Sequence, residues 1–182
     1  MIIPIKSFSE IQLKRGSLVV LDIDDTLLTY ANLSQKWWQD EINKNYLDTM
    51  DYAMAKKRAV QEWKRLMMNS SPISLDTHNR DAFIQNLYKL GCELIFLTAR
   101  DDDLADITRS NLRDLKIYDG QMIYFDENKG KKIVEIMTIY NKYDNIIVVD
   151  DLIQNLLSIQ ESVQNNNASE KHFQLYHINH ET

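Results

Sequence analysis

Apolar and polar positions alternate along this chain in blocks. Four short apolar runs stand out: residues 17–23 (SLVVLDI), residues 92–98 (CELIFLT), Asn145–Asp150 (NIIVVD) and, more weakly, His172–Ile178 (HFQLYHI), with residues 121–125 (QMIYF) a short fifth. Continuous apolar runs of this length, rich in branched residues, are the pattern of strands buried on both faces of a parallel sheet. Between them the spacing changes to that of helices. Phe83, Leu87 and Leu90 share one helical face, and Gly91 stands where a left-handed cap would end it. Leu104, Ile107, Leu112 and Leu115 predict a second helix, Ile133, Ile136 and Met137 a third, and residues 152–159 a fourth. Strand and helix in alternation imply right-handed crossovers, hence an α/β fold with a three-layer, Rossmann-like parallel sheet.

One segment breaks this rhythm. Residues 32–69 read as two polar helices inserted between the first strand and its crossover helix, a small helical cap on a single domain spanning residues 1–182. Seven basic side chains against five acidic ones give the insert a net charge of +2, which leaves −8 for the rest of a chain whose total is −6. A loop after the first strand leaves a parallel sheet above that strand's carboxyl end, so the insert is expected to roof whatever lies there.

Length and composition narrow the class. With 182 residues, 44% hydrophobic, 26% charged, four Gly and two Pro, the chain is an ordinary globular protein with one core. A net charge of −6 argues against nucleic-acid polymers and anionic membranes as partners. No apolar run approaches the roughly 20 residues of a membrane span, and the N-terminal stretch lacks the pattern of a signal peptide. Cys92 is the one cysteine, which fits a reducing compartment, and a cytoplasmic location is expected. The tract at residues 164–170 (QNNNASE) reads as a solvated turn, and nothing in the sequence fixes an oligomeric state.

The candidate chemistry sits at the strand ends. Asp22, Asp24 and Asp25 fall within four positions at the end of the first run, where like charges repel and resist desolvation unless a cation or a shifted protonation state accommodates them. Thr98 and Arg100 end the second run, and Asp150 and Asp151 the run at 145–150. In an open parallel sheet ligands bind beyond the carboxyl ends of the strands, so crossover topology gathers these groups at one edge. Carboxylates from two strand ends form a hard oxygen site suited to Mg²⁺.

In order, DIDDTLL, LTAR, NKGKK and VVDD resemble the four motifs of the haloacid dehalogenase superfamily, mostly Mg²⁺-dependent phosphatases and phosphotransferases. The resemblance runs from Val19 to Asn155, with a looser likeness to small acid phosphatases that carry D-x-D-x-T and T-x-R. It implies that Asp22 is a nucleophile forming an aspartyl-phosphate and that Asp24 is the general acid and base. It further implies that Mg²⁺ is held by Asp22, the backbone carbonyl of Asp24 and Asp150, with Asp151 and Asn155 around it. Thr98 and a lysine of NKGKK would bind the phosphoryl group, Lys129 being favoured and Lys131 the alternative. Relatives often carry glycine where this chain has Asp25, which is given no catalytic role.

Plainer readings exist for each group. A calcium loop beginning at Asp22 would need glycine where Leu27 stands. Asp101 to Asp103 suit a helix N-terminus, Trp37, Trp38 and Trp63 suit the core of the insert, and His78 and Cys92 read as structural. The expected function is Mg²⁺-dependent hydrolysis of a small phosphorylated substrate. A non-catalytic Mg²⁺- and phosphate-binding protein and a protein phosphoserine phosphatase stay open beside it.

Overall fold

The structure, a computed structural model, describes residues 1–166 and 171–180. In chain order its elements are β1 (Ile2–Ile5), β2 (Leu18–Leu21), β3 (Leu28–Thr29), α1 (Gln35–Thr49), α2 (Tyr52–Met68), β4 (Ile73–Ser74), α3 (Thr77–Lys89), β5 (Glu93–Thr98), α4 (Ala105–Asp114), β6 (Ile123–Phe125), α5 (Lys129–Ile139), β7 (Asn145–Asp150), α6 (Ile153–Asn165) and β8 (His172–Ile178). Six strands form one sheet in the order β1-β8-β7-β2-β5-β6, and every pairing within it is parallel. This is the expected α/β, Rossmann-like sheet.

Two compact units divide the chain. The larger comprises Met1–Leu27 and Ser74–Thr182, and β2, buried throughout, lies at its centre. Successive strand residues point to opposite faces. Leu18, Val20, Ile95, Leu97, Ile146, Val148 and Leu175 join Ile133, Ile136 and Met137 of α5 and Leu156 and Ile159 of α6 in one core. The alternate positions Val19, Leu21, Leu94, Phe96, Ile147 and Val149 are equally buried on the other face. A sheet covered on both sides explains why its strands read as continuous apolar runs.

The edge strand β1 lies outside the sequence expectation. It has four residues, one of them Pro4, and only Ile5 is fully buried. An edge strand tolerates proline because one of its sides needs no ladder donor. The tract at 164–170 also differs from expectation. Gln164 and Asn165 complete the last turn of α6 and Asn166 caps it, whereas residues 167–170 lie outside the described residues.

The smaller unit is Leu28–Ile73. Its two helices form a hairpin. Ser34 caps α1 by accepting from Trp37 N, Asp51 caps α2 by accepting from Met54 N, and Met50 turns the chain in a left-handed conformation. Ala55 and Ala59, one turn apart on α2, pack with Ile42 and the half-buried Trp38 into a small core of their own. Small residues at that spacing let the helices approach closely.

Gly130 fixes the approach of α5 to α6. A Cβ there would collide with the Ser158 hydroxyl, lie 2.5 Å from Ser158 O and 2.6 Å from Ser162 Oγ. The glycine of NKGKK is therefore a packing requirement that sets the height of its neighbour Lys129. We expect Gly130→Ala to lower stability by about 1–3 kcal/mol through this overlap, measured by urea unfolding. An unchanged midpoint would show that α6 yields at no cost.

Candidate active site

Register places the acidic residues. Leu21 pairs with Val149 across β2 and β7, so Asp22 and Asp150 emerge side by side at the carboxyl edge, and Asp22 N donates to Val149 O at 3.0 Å. Both carboxylates are buried, Asp22 being 6% and Asp150 1% exposed. Lys129, the first residue of α5, enters between them: its Nζ donates to Asp22 Oδ1 at 2.5 Å and to Asp150 Oδ2 at 2.7 Å. The Asp150 carboxylate also accepts from Leu152 N at 2.8 Å and from Asn155 Nδ2 at 3.0 and 3.2 Å. One oxygen from each of Asp22, Asp150 and Asp151 lies within 4.8 Å of the others. His177 of β8 donates from Nε2 to the Asp151 carbonyl at 2.9 Å, tying that loop to the next strand.

A second cation serves Asp24. Arg100, just past β5, donates from Nη2 to Asp24 Oδ1 at 2.7 Å and from Nε to Oδ2 at 2.8 Å, a two-pronged pair. The guanidinium is almost wholly buried, whereas the Asp24 side chain is 32% exposed. From its other edge Nη1 donates to Thr108 Oγ1 and to Asn111 Oδ1, both at 3.1 Å. Thr98, fully buried, accepts from Arg100 N on its hydroxyl oxygen at 3.2 Å.

A family model described as HAD superfamily, subfamily IIIB (Acid phosphatase) matches residues 4–174. The chain belongs to this acid phosphatase subfamily. It is accordingly a phosphatase, a hydrolase of phosphate monoesters. No curated protein matches its sequence. Among solved structures, the class C acid phosphatase from Bacillus anthracis is similar at 14% identity and a TM-score of 0.48, covering 91% of this chain and 67% of that one. The same enzyme with tungstate bound gives 14% identity, a TM-score of 0.47 and coverage of 91% and 68%.

In this acid phosphatase the structure gathers Asp22, Asp150 and Lys129 into contact and places Thr98 and Asp24 at the same edge of the sheet. Lys131 lies elsewhere, exposed on α5, with its backbone N donating to Asn128 Oδ1. The side chain of Asp24 turns to Arg100. Asp25 has φ +54°, the left-handed region that glycine adopts freely and aspartate tolerates.

Arg100 stood at a strand end in the sequence without a role, and Thr108 and Asn111 were not singled out at all. The signal was present in α4. Its buried face runs Leu104, Thr108, Asn111, Leu112 and Leu115, while Ile107 is only half-buried. Two polar residues at helical spacing on an apolar face mark a buried partner.

The donor set suits a divalent cation. Burial raises Asp22 to about 7, with Lys129 pulling it back and Asp150 pushing it further up. Burial, then the charges of Asp22, Asp150 and Asp25, raises Asp151 to about 9. Burial would lower Lys129, but the two carboxylates it bridges outweigh this and hold it above the ordinary lysine range. The three carboxylates, whose hard oxygens lie within 4.8 Å of one another, could hold a hard divalent cation once they lose those protons.

Folding thus raises the proton affinity of two carboxyls from an ordinary value of 3.8. The native state binds more protons than the unfolded state above that value, so in chelator stability is expected to fall as pH rises through about 7 for Asp22 and about 9 for Asp151. Mg²⁺ should raise the melting temperature more at about pH 8 than at about pH 5, because it takes the place of those protons. A gain independent of pH would show that the ion binds elsewhere.

Proposed function

We propose that this acid phosphatase works through an aspartyl-phosphate on Asp22 with Mg²⁺ as its cofactor. The observation that carries the reading is the buried Asp22 carboxylate, held by Lys129 at the end of the central strand beside Asp150 and Asp151. Asp22, Asp150 and Asp151, with the carbonyl of Asp24, would hold the ion, which supplies positive charge to the phosphoryl oxygens when bound.

A carboxylate oxygen of Asp22 attacks phosphorus and forms an O–P bond. The bond from phosphorus to the ester oxygen breaks, its electron pair stays on that oxygen, and Asp24 supplies the proton that makes it a neutral alcohol. In the second half Asp24 takes a proton from water as the water oxygen attacks phosphorus, which releases inorganic phosphate and restores Asp22. Throughout, the Thr98 hydroxyl and the Lys129 ammonium bind phosphoryl oxygens and offset their charge.

The substrate is a small phosphate monoester, and we assign its selection to the inserted unit Leu28–Ile73, a cap of net positive charge. We also place the enzyme in a reducing, cytoplasmic compartment, a reading supported by its single cysteine; the Cys92 thiol is buried and donates to Lys14 O. No helix among the described residues is long and apolar enough to cross a membrane.

Phosphate release from an aryl phosphate with Mg²⁺ tests the chemistry. Asp22→Asn keeps the shape and removes the nucleophile, and activity should drop by at least about 10³-fold; full activity in the purified variant would sink the mechanism. Because β3 and β4 pair, joining Thr29 to Ile73 by a short turn tests the cap. We expect aryl phosphate hydrolysis to persist and preference among natural esters to disappear. Retained preference would move specificity to loops of the larger unit.

A further inference from the structure

We infer that Thr108 and Asn111 of α4 are positioning residues for proton transfer to the leaving group, acting through Arg100 on Asp24. The inference rests on the reading of Asp24 as general acid given above and extends it to residues that touch neither substrate nor metal.

Thr108 is fully buried and Asn111 is 5% exposed, on a face otherwise made by Leu104, Leu112 and Leu115. Polar groups in such a place are costly unless hydrogen-bonded. Both give their side-chain oxygens to the same atom, Arg100 Nη1, at 3.1 Å. Lying three residues apart on one helix, they approach that nitrogen as a pair. A guanidinium is a rigid plane, so fixing the Nη1 edge fixes the Nε and Nη2 edge as well. That second edge carries both Asp24 oxygens, at 2.7 and 2.8 Å. The orientation of the Asp24 carboxyl is therefore set from α4, at the far side of the arginine.

Stability alone does not call for this arrangement. A buried charged network is seldom more stable than apolar side chains of similar volume. What the network provides is direction. A carboxylate has about four lone-pair positions; Arg100 occupies one on each oxygen, and the 32% exposure of Asp24 leaves its outward side open to an ester oxygen. When phosphorus leaves that oxygen, the bonding electron pair remains there and collects the proton from the outward side of Asp24. With the guanidinium tilted, the same oxygen departs unprotonated. Only leaving groups that are poor as anions are slowed by such a loss.

The test measures kcat/KM of the full-length, Mg²⁺-loaded enzyme on phosphate esters graded from nitrophenyl to alkyl leaving groups. Thr108→Val keeps the shape and removes the acceptor, Asn111→Ser withdraws its oxygen from reach, Thr108→Ser retains the hydroxyl, and Asp24→Asn is the reference. We expect Thr108→Val and Asn111→Ser to lose about 10- to 100-fold on alkyl phosphates, with little change on nitrophenyl phosphate and near-normal values for Thr108→Ser. Should Thr108→Val not fold, Asn111→Ser against Thr108→Ser decides by the same slope. Uniform losses or none in the α4 variants, with a steep dependence in Asp24→Asn, overturn this inference alone. A flat Asp24→Asn profile overturns the acid role itself, and the inference with it.

Discussion

Two buried carboxylates from adjacent strands can be held side by side only if a cation stands between them or one of them keeps its proton. Lys129 is that cation here, with its ammonium in contact with Asp22 and Asp150 and burial too deep for solvent to share the work. Much of the surrounding structure follows from this demand. The register of β2 against β7 creates the pair, and α5 must begin where its first side chain reaches them. Gly130 must lack a side chain so that α5 can settle against α6 in that position. Removing either partner of such a group leaves a charge buried without compensation, which in proteins typically costs about 3–5 kcal/mol.

The two aspartates of the first motif are served by different cations, and the difference suits their chemistry. Lysine is a compact charge on a flexible stem, able under the mechanism we propose to follow a carboxylate that changes from free anion to acyl phosphate and back. Arginine is a fixed fork, suited to a carboxyl held in one direction, as the proton transfer we propose for Asp24 requires. Asp22 has the first and Asp24 the second. At the end of β5 the Thr98 hydroxyl oxygen accepts from the Arg100 backbone N–H, which ties it to the same loop.

The sheet was legible because its strands are buried on both faces, which leaves uninterrupted runs such as residues 92–98 and 145–150. β1 was not legible, since its short apolar run is interrupted by Pro4 and only one of its four residues is fully buried. The carboxylates were legible because like charges at a strand end have no structural benefit, and Lys129 because its motif placed it. Arg100, Thr108 and Asn111 were harder for a physical reason. Their importance lies in a contact between β5 and α4 that no local spacing encodes, and the faint local sign, two polar residues on an apolar helix face, is shared by many helices whose polar residues merely bond to their own backbone.

The parallel order of the sheet also bears on how the enzyme comes into being. β2 receives its hydrogen bonds from β5 on one side and β7 on the other, and β1 has β8 as its neighbour. None of these partners is close in the chain, and contacts of long sequence separation form late because loop-closure entropy must be met first. During synthesis Asp22 emerges well before β7 and lacks Asp150 until that strand has left the ribosome, so a chain still in synthesis carries Asp22 without the rest of its site. Assembly of the site is thereby deferred until every strand that contributes to it exists, and the apolar strand that bears Asp22 is meanwhile a segment in need of protection from premature association.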